Sequence, residues 1–237
     1  MKVALCLSGH FRSFNTTFKS LQDSIIGPYQ PDIFIYSPET LGFDGADRGD
    51  HHLVKSNLDI EKIKELYKPK KILVEPLRKW DVTKYYVIPN IGLRDPEIVC
   101  GMFYGIYKAN QLKMEFEEEN NFTYDVVIRC RPDLYFENTL RADEVHSAAK
   151  STGVYIPNFG SYGGLNDQFS FGHSKIMDIF CATFPNLDKF YDLGCKWHAE
   201  TMTKFTADYF NIPILRSNIE YFLLRANGQV FRLARDT

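Results

Sequence analysis

Apolar residues along this chain follow two alternating rhythms. Short unbroken runs at Lys2–Leu7, Ile33–Tyr36, Lys70–Val74 and Val126–Ile128 predict strands buried on both faces, the habit of a parallel sheet. Between them the spacing changes. Phe14, Phe18, Leu21 and Ile25 recur four, three and four residues apart and predict a helix over 14–26. Leu58–Tyr67 predicts a second helix with Asn57 or Asp59 near its start. Asp95-Pro96-Glu97 opens a third, with Asp95 as cap and proline in the first turn, and Met102, Phe103, Tyr104, Tyr107 and Leu112 carry it to about Glu118. The Gly- and Asp-rich stretch 38–57 reads as a loop, and 78–96 is either irregular or holds a short helix.

Beyond about residue 130 the rhythm loosens. Val154–Ile156 and Gln168–Phe171 predict strands, Ser174–Phe184 and Glu200–Phe210 helices, and Ile214–Leu224 a strand pair or an extended tail. Strand–helix alternation with right-handed crossovers implies an α/β fold: a Rossmann-type, mostly parallel sheet flanked by helices, with a more irregular C-terminal half. Neither a repeat nor a linker divides the chain, so residues 1–237 read as one domain.

Composition narrows the classes. Aromatic residues make up 15% of the chain, enough for a well-packed core and a ring-lined cleft. A formal net charge of −2 argues against nonspecific nucleic-acid binding. No apolar run approaches the roughly 18–20 residues that span a bilayer. The N-terminus turns polar too quickly for a signal peptide. Five cysteines without a Cys-x-x-Cys pair suit reduced thiols in a cytoplasmic protein, and the glycosylation-like matches at Asn15 and Asn121 are then chance.

Parallel sheets bind ligands just beyond the carboxyl ends of their strands, and two such ends carry suggestive chemistry. The first strand exits through Ser8-Gly9-His10-Phe11-Arg12, where small residues admit a ligand to the backbone and Arg12 offers a bidentate phosphate contact. Neither a P-loop nor a dinucleotide fingerprint is present, and a tight strand-to-helix turn also accounts for Gly9. The run Val126–Ile128 stops at Arg129, Arg131, Pro132 and Asp133. Two guanidiniums and a carboxylate there suit a diphosphate, with Asp133 as a ligand to Mg²⁺ or Mn²⁺; equally, Pro132 and Asp133 are ordinary turn punctuation.

Downstream, Gly163-Gly164-Leu165-Asn166-Asp167 places a carboxylate before a short strand, suited to a general base or simply to a hairpin turn. Glu200 is a second base candidate, although an acid near a helix start is commonly there for the dipole. Lys108 reaches either solvent or a phosphate. Asp44, Asp47, Asp50, His51 and His52 match no defensible zinc spacing and read as a solvated loop.

Taken in order, Lys2-Val-Ala-Leu-Cys-Leu-Ser-Gly-His-Phe-Arg12, Pro31-Asp-Ile-Phe-Ile-Tyr36, Met102-Phe-Tyr-Gly-Ile-Tyr-Lys-Ala-Asn110, Tyr124 through Phe136, and Asn166-Asp-Gln-Phe-Ser-Phe-Gly172 resemble a group of small glycosyltransferase-like proteins of bacterial surface-polysaccharide clusters and large viruses. The resemblance implies a GT-A fold with a nucleotide-binding half at about 1–135 and an acceptor half at about 136–237. It implies a nucleotide-sugar donor, a glycan or other hydroxyl acceptor, and a divalent cation held by an Asp-x-Asp motif. Here that motif reads Arg131-Pro132-Asp133, so Arg131 takes over part of the cation's electrostatic role. On this reading Ser8, Gly9, His10, Arg12, Lys108, Arg129 and Arg131 line the donor, Tyr36 faces base or ribose, Asp133 holds metal or donor sugar, and Asp167 is the base. The degraded motif motivates a second reading, a non-catalytic nucleotide- or glycan-binding module; a sulfo- or nucleotidyltransferase is a third.

Overall fold

Every side chain of Val3–Ser8 (β1) is buried, because this strand lies inside a seven-stranded sheet and is covered on both faces. The structure, a computed structural model, describes residues 1–41, 57–85 and 96–236. The loop acids and histidines at 44–52 and the Asp95 cap lie outside the described residues.

The other strands are Asp32–Pro38 (β2), Lys71–Glu75 (β3), Val126–Cys130 (β4), Leu134–Phe136 (β5), Val154–Pro157 (β6), Phe169–His173 (β7), Ile214–Ser217 (β8), Tyr221–Leu224 (β9) and Val230–Phe231 (β10). The large sheet runs β3-β2-β1-β4-β7-β6-β8. β3, β2, β1 and β4 are parallel; β7 runs antiparallel between β4 and β6, and β8 pairs parallel with β6. A second sheet, β10-β9-β5, sits at the exit of β4.

Alternation along β1 sorts the core into two layers. Val3, Leu5 and Leu7 join Phe14 and Leu21 of α1 (Phe14–Leu21), Ile63 and Tyr67 of α3 (Ile60–Tyr67), and Val145 and Ala148 of α5 (Ala142–Ala148). Ala4 and Cys6 face α4 (Pro96–Glu119), α6 (Ser174–Phe180), α7 (Leu187–Asp192) and α8 (Ala199–Tyr209). No described helix is long and apolar enough to cross a membrane. All five cysteines are buried free thiols.

The α4 layer is pinned by one polar network. Lys113, fully buried, donates to Glu117 at 2.9 Å, Asp178 at 2.6 Å and Ser174 at 2.9 Å. Glu117 also accepts from the Tyr124 backbone N–H, so α4, α6 and the start of β4 share one set of buried charges.

Several sequence expectations need correction. The helix over 14–26 is not regular: α1 passes into a π-helical turn, Gln22–Ile26, then α2 (Gly27–Tyr29), ending at left-handed Gln30. β4 does not stop at Ile128 but runs on through Arg129 and Cys130, so Arg129 belongs to a buried strand. Ile214–Leu224 does hold two strands, but they part company: β8 closes the large sheet while β9 belongs to the small one. β5, α5, α7 and β10 escaped the pattern because each has too few residues to display a period.

Chain order steps outward from β1 to β2 and β3, then α4 carries it back to place β4 on the opposite flank of β1. That reversal sets the carboxyl ends of β1 and β4 side by side at a topological switch point, the place where open α/β sheets take their ligands.

Candidate functional site

At the end of β1, Ser8 is buried and its Oγ has no hydrogen-bond partner. Gly9 follows at φ +126°, a conformation that L side chains rarely adopt, and a Cβ there would lie 3.6 Å from Pro132 Cδ. The exits of β1 and β4 therefore touch. His10 Nδ1 lies 3.0 Å from the Thr40 carbonyl oxygen. A carbonyl only accepts, so Nδ1 carries the proton in the neutral ring. Burial, reinforced by Arg12, pushes the His10 pKa down to about 4, so the ring is neutral at pH 7 with its lone pair on Nε2. Thr17 Oγ1 donates to the Pro132 carbonyl at 2.7 Å, and Ser13 Oγ to that of Leu224 at 2.7 Å, fastening the start of α1 to the ends of β4 and β9.

Asp133 is 1% exposed and ringed by arginines. Arg131 grips it bidentately, Nε to Oδ1 at 2.8 Å and Nη2 to Oδ2 at 2.6 Å. Arg12 Nε lies 4.0 Å from Oδ2, and Arg225, also buried, acts on the same carboxylate. Burial alone would raise the Asp133 pKa; Arg131 first, then Arg12 and Arg225, bring it down to about 2. Three guanidiniums thus act on one carboxylate.

This donor set does not fit a divalent cation. Hard cations need free carboxylate oxygens, and Arg131 occupies both of those on Asp133. Among the described residues no three His, Cys, Asp or Glu side chains come together. In this structure Asp133 is held as the ion-pair partner of Arg131.

On the α4 side of the sheet lies a second polar group. Arg129 is buried, Nη1 donates to the Asp167 backbone carbonyl, and Nε has no partner. Burial pushes its pKa down, with Asp167 opposing. Asp167 is 2% exposed, and neither carboxylate oxygen has a hydrogen-bond partner. Both residues line a cavity of about 20 Å³, together with Phe103 and Ile106 of α4, Phe180 of α6 and Thr203 of α8. That is room for about one water. Gln168 Oε1, next along the chain, is likewise buried without a partner. Buried polar atoms are normally satisfied, so this cluster marks the edge between β1, β4 and β7 as built around something polar.

Asn166 sets this loop. Its Nδ2 donates to the Phe159 carbonyl at 2.8 Å while its Oδ1 accepts from Gln168 N at 2.8 Å and from the Tyr221 hydroxyl at 3.0 Å. Gly164 presses on α8, where a Cβ would stand 2.1 Å from the Glu200 carbonyl oxygen. Glu200 sits in the first turn of α8 with its carboxylate 3.1 Å from His198 Nε2. It is the first-turn acid of the simpler reading.

Besides Arg129, two donor-lining candidates fall elsewhere. Tyr36 is 5% exposed, its ring pressed against Gly105 and edge-on to Tyr104, so it is core and not a ribose wall. Lys108 turns along α4 to Gln111 Oε1 at 3.1 Å. His10, Arg12, Arg131 and Asp133 do come together, with Gly9 against Pro132, whereas the Ser8 side chain faces Gly105 of α4. Arg225 was missed. β9 pairs antiparallel with β5, Leu223 opposite Leu134, and delivers it there. The one usable signal was Asn227-Gly228, a hairpin dipeptide, in the turn where Arg225 N donates to the Gln229 carbonyl at 2.9 Å.

A family profile described as Domain of unknown function (DUF7796) matches residues 1–227, which include every member of the arginine cluster. No curated protein matches the chain.

Proposed function

The chain belongs to the family described as Domain of unknown function (DUF7796), and from its site we propose a nucleotide-sugar-dependent glycosyltransferase of GT-A type, acting on a hydroxyl of a glycan or other acceptor. The observation that carries this reading is the convergence of Arg12, Arg131 and Arg225 on the switch-point crevice between β1 and β4. A parallel half, β3-β2-β1-β4, joined to a mixed half fits the fold that the resemblance implies.

In the reaction, the acceptor oxygen attacks the anomeric carbon. The bond from that carbon to the diphosphate breaks, and its electron pair leaves on the phosphate oxygen. Guanidiniums fixed where that charge develops lower the barrier without reorganising. Asp167 stands too deep to meet the acceptor directly in this conformation; it takes the proton through a water in its cavity. That same enclosure favours the second reading, a binding module without transfer.

A thermal-shift panel of nucleoside diphosphates and nucleotide sugars, followed by chromatography of donor hydrolysis and transfer, tests the proposal. Stabilisation by a nucleotide sugar together with turnover is the expected result. Stabilisation without turnover selects the binding module, and the absence of any stabilisation removes both readings. Turnover undiminished in Asp167→Asn removes Asp167 from the reaction.

A further inference from the structure

We infer that the crevice holds the donor diphosphate through arginine side chains alone, with no divalent cation; the inference rests on the nucleotide-sugar reading and specifies how that site binds. Its basis is the state of Asp133. A carboxylate that is to coordinate a cation must present oxygen lone pairs to it. Both Asp133 oxygens instead accept from one guanidinium, and two further guanidiniums act on the same group. A divalent cation placed there would have to displace a bidentate pair.

The same arrangement suits an anion. A diphosphate diester carries one negative charge on each phosphate, and planar guanidinium forks suit phosphate oxygens. Departure of the nucleoside diphosphate adds a further negative charge, which the cluster attracts more strongly than the ground state. Asp133 is then a positioning residue. It holds Arg131 in one orientation and uses two of that side chain's five donors. Arg225 enters from β9, so the small sheet is part of the phosphate site and not merely a cover on the exit of β4.

Titration calorimetry of the full chain with uridine diphosphate, guanosine diphosphate and inorganic pyrophosphate, in EDTA and again with Mn²⁺, is the test. At least one diphosphate binds in EDTA, with an affinity within about threefold of that in Mn²⁺, and the affinity falls steeply with salt. Arg225→Gln weakens it by about tenfold or more, and Arg225→Lys recovers only part, since lysine lacks the planar fork. Arg12→Gln gives the same answer should Arg225→Gln not fold, and an affinity unchanged in a folded variant overturns the cluster as the site. Binding seen only with Mn²⁺ overturns the inference while leaving the transferase reading intact. No binding in either condition removes both.

Discussion

Arg131 and Asp133, two residues apart across Pro132, are joined at two points, 2.8 Å between Nε and Oδ1 and 2.6 Å between Nη2 and Oδ2. The pair is buried on the carboxylate side and partly open on the guanidinium side. Its charge balance has a consequence for stability as well as for binding.

The Asp133 pKa in the folded chain, about 2, lies below its ordinary 3.8. A depressed acid contributes stability that is present above the ordinary value and lost as pH falls from about 4 toward 2, here about 2 kcal/mol. Urea unfolding at pH 5 and at pH 2.5 measures it. Asp133→Asn removes that share of the acid dependence; an acid dependence identical to that of the native chain contradicts the assignment.

His10 carries a linkage of the same sign at higher pH. Its folded pKa of about 4 lies below the ordinary 6.5, so the unfolded chain takes up a proton first and stability declines as pH falls from about 6.5 to about 4. Nitrogen-15 NMR of the histidine ring gives a direct readout. His10 keeps a neutral Nδ1–H tautomer from pH 8 to pH 5, and a midpoint near 6.5 would contradict the geometry.

Lys113 cannot be removed cheaply. Lys113→Met leaves Glu117 and Asp178 buried without their cation, and losing one partner of a buried charge set costs roughly 3–5 kcal/mol. Denaturant midpoints report the loss. A cost below about 1 kcal/mol would mean that water replaces the ammonium.

Gly164 tolerates no side chain. In Gly164→Ala the new methyl group falls on the Glu200 carbonyl, a backbone atom that can move only with the start of α8. A destabilisation of roughly 3 kcal/mol or more follows, among the larger effects of point substitutions. Thermal melts check it, with Gly163→Ala as the comparison, because a Cβ at Gly163 meets nothing within 4 Å and only its backbone φ of +81° resists.

Much of this arrangement was legible in the order of residues. Parallel strands bring their carboxyl ends together, so Ser8–Arg12 and Arg131–Asp133 were bound to be neighbours once the alternation of strand and helix was read. Arg129 misled because a charge after three apolar residues looks like a strand's end. It stays inside β4 because the Asp167 carbonyl and carboxylate meet it there, and arginine is buried only when so accompanied. Asp167 looked accessible because a pattern does not reveal that Gly164 seats its loop against α8. Arg225 was out of reach for a different reason: its position follows from the register of β5 against β9, two short strands far apart in the chain.

The reversed direction of β7 also bears on how such a protein can diverge. Because β7 opposes β4, it meets the crevice with its leading end, and Asp167 and Gln168 come from the connection that precedes a strand. Residues 158–168 lie outside the crossovers that hold β1 to β4, so changes there, away from Gly164, Asn166 and Asp167, leave those crossovers intact. One flank of the crevice is thus free to acquire new preferences while the arginine flank stays as it is.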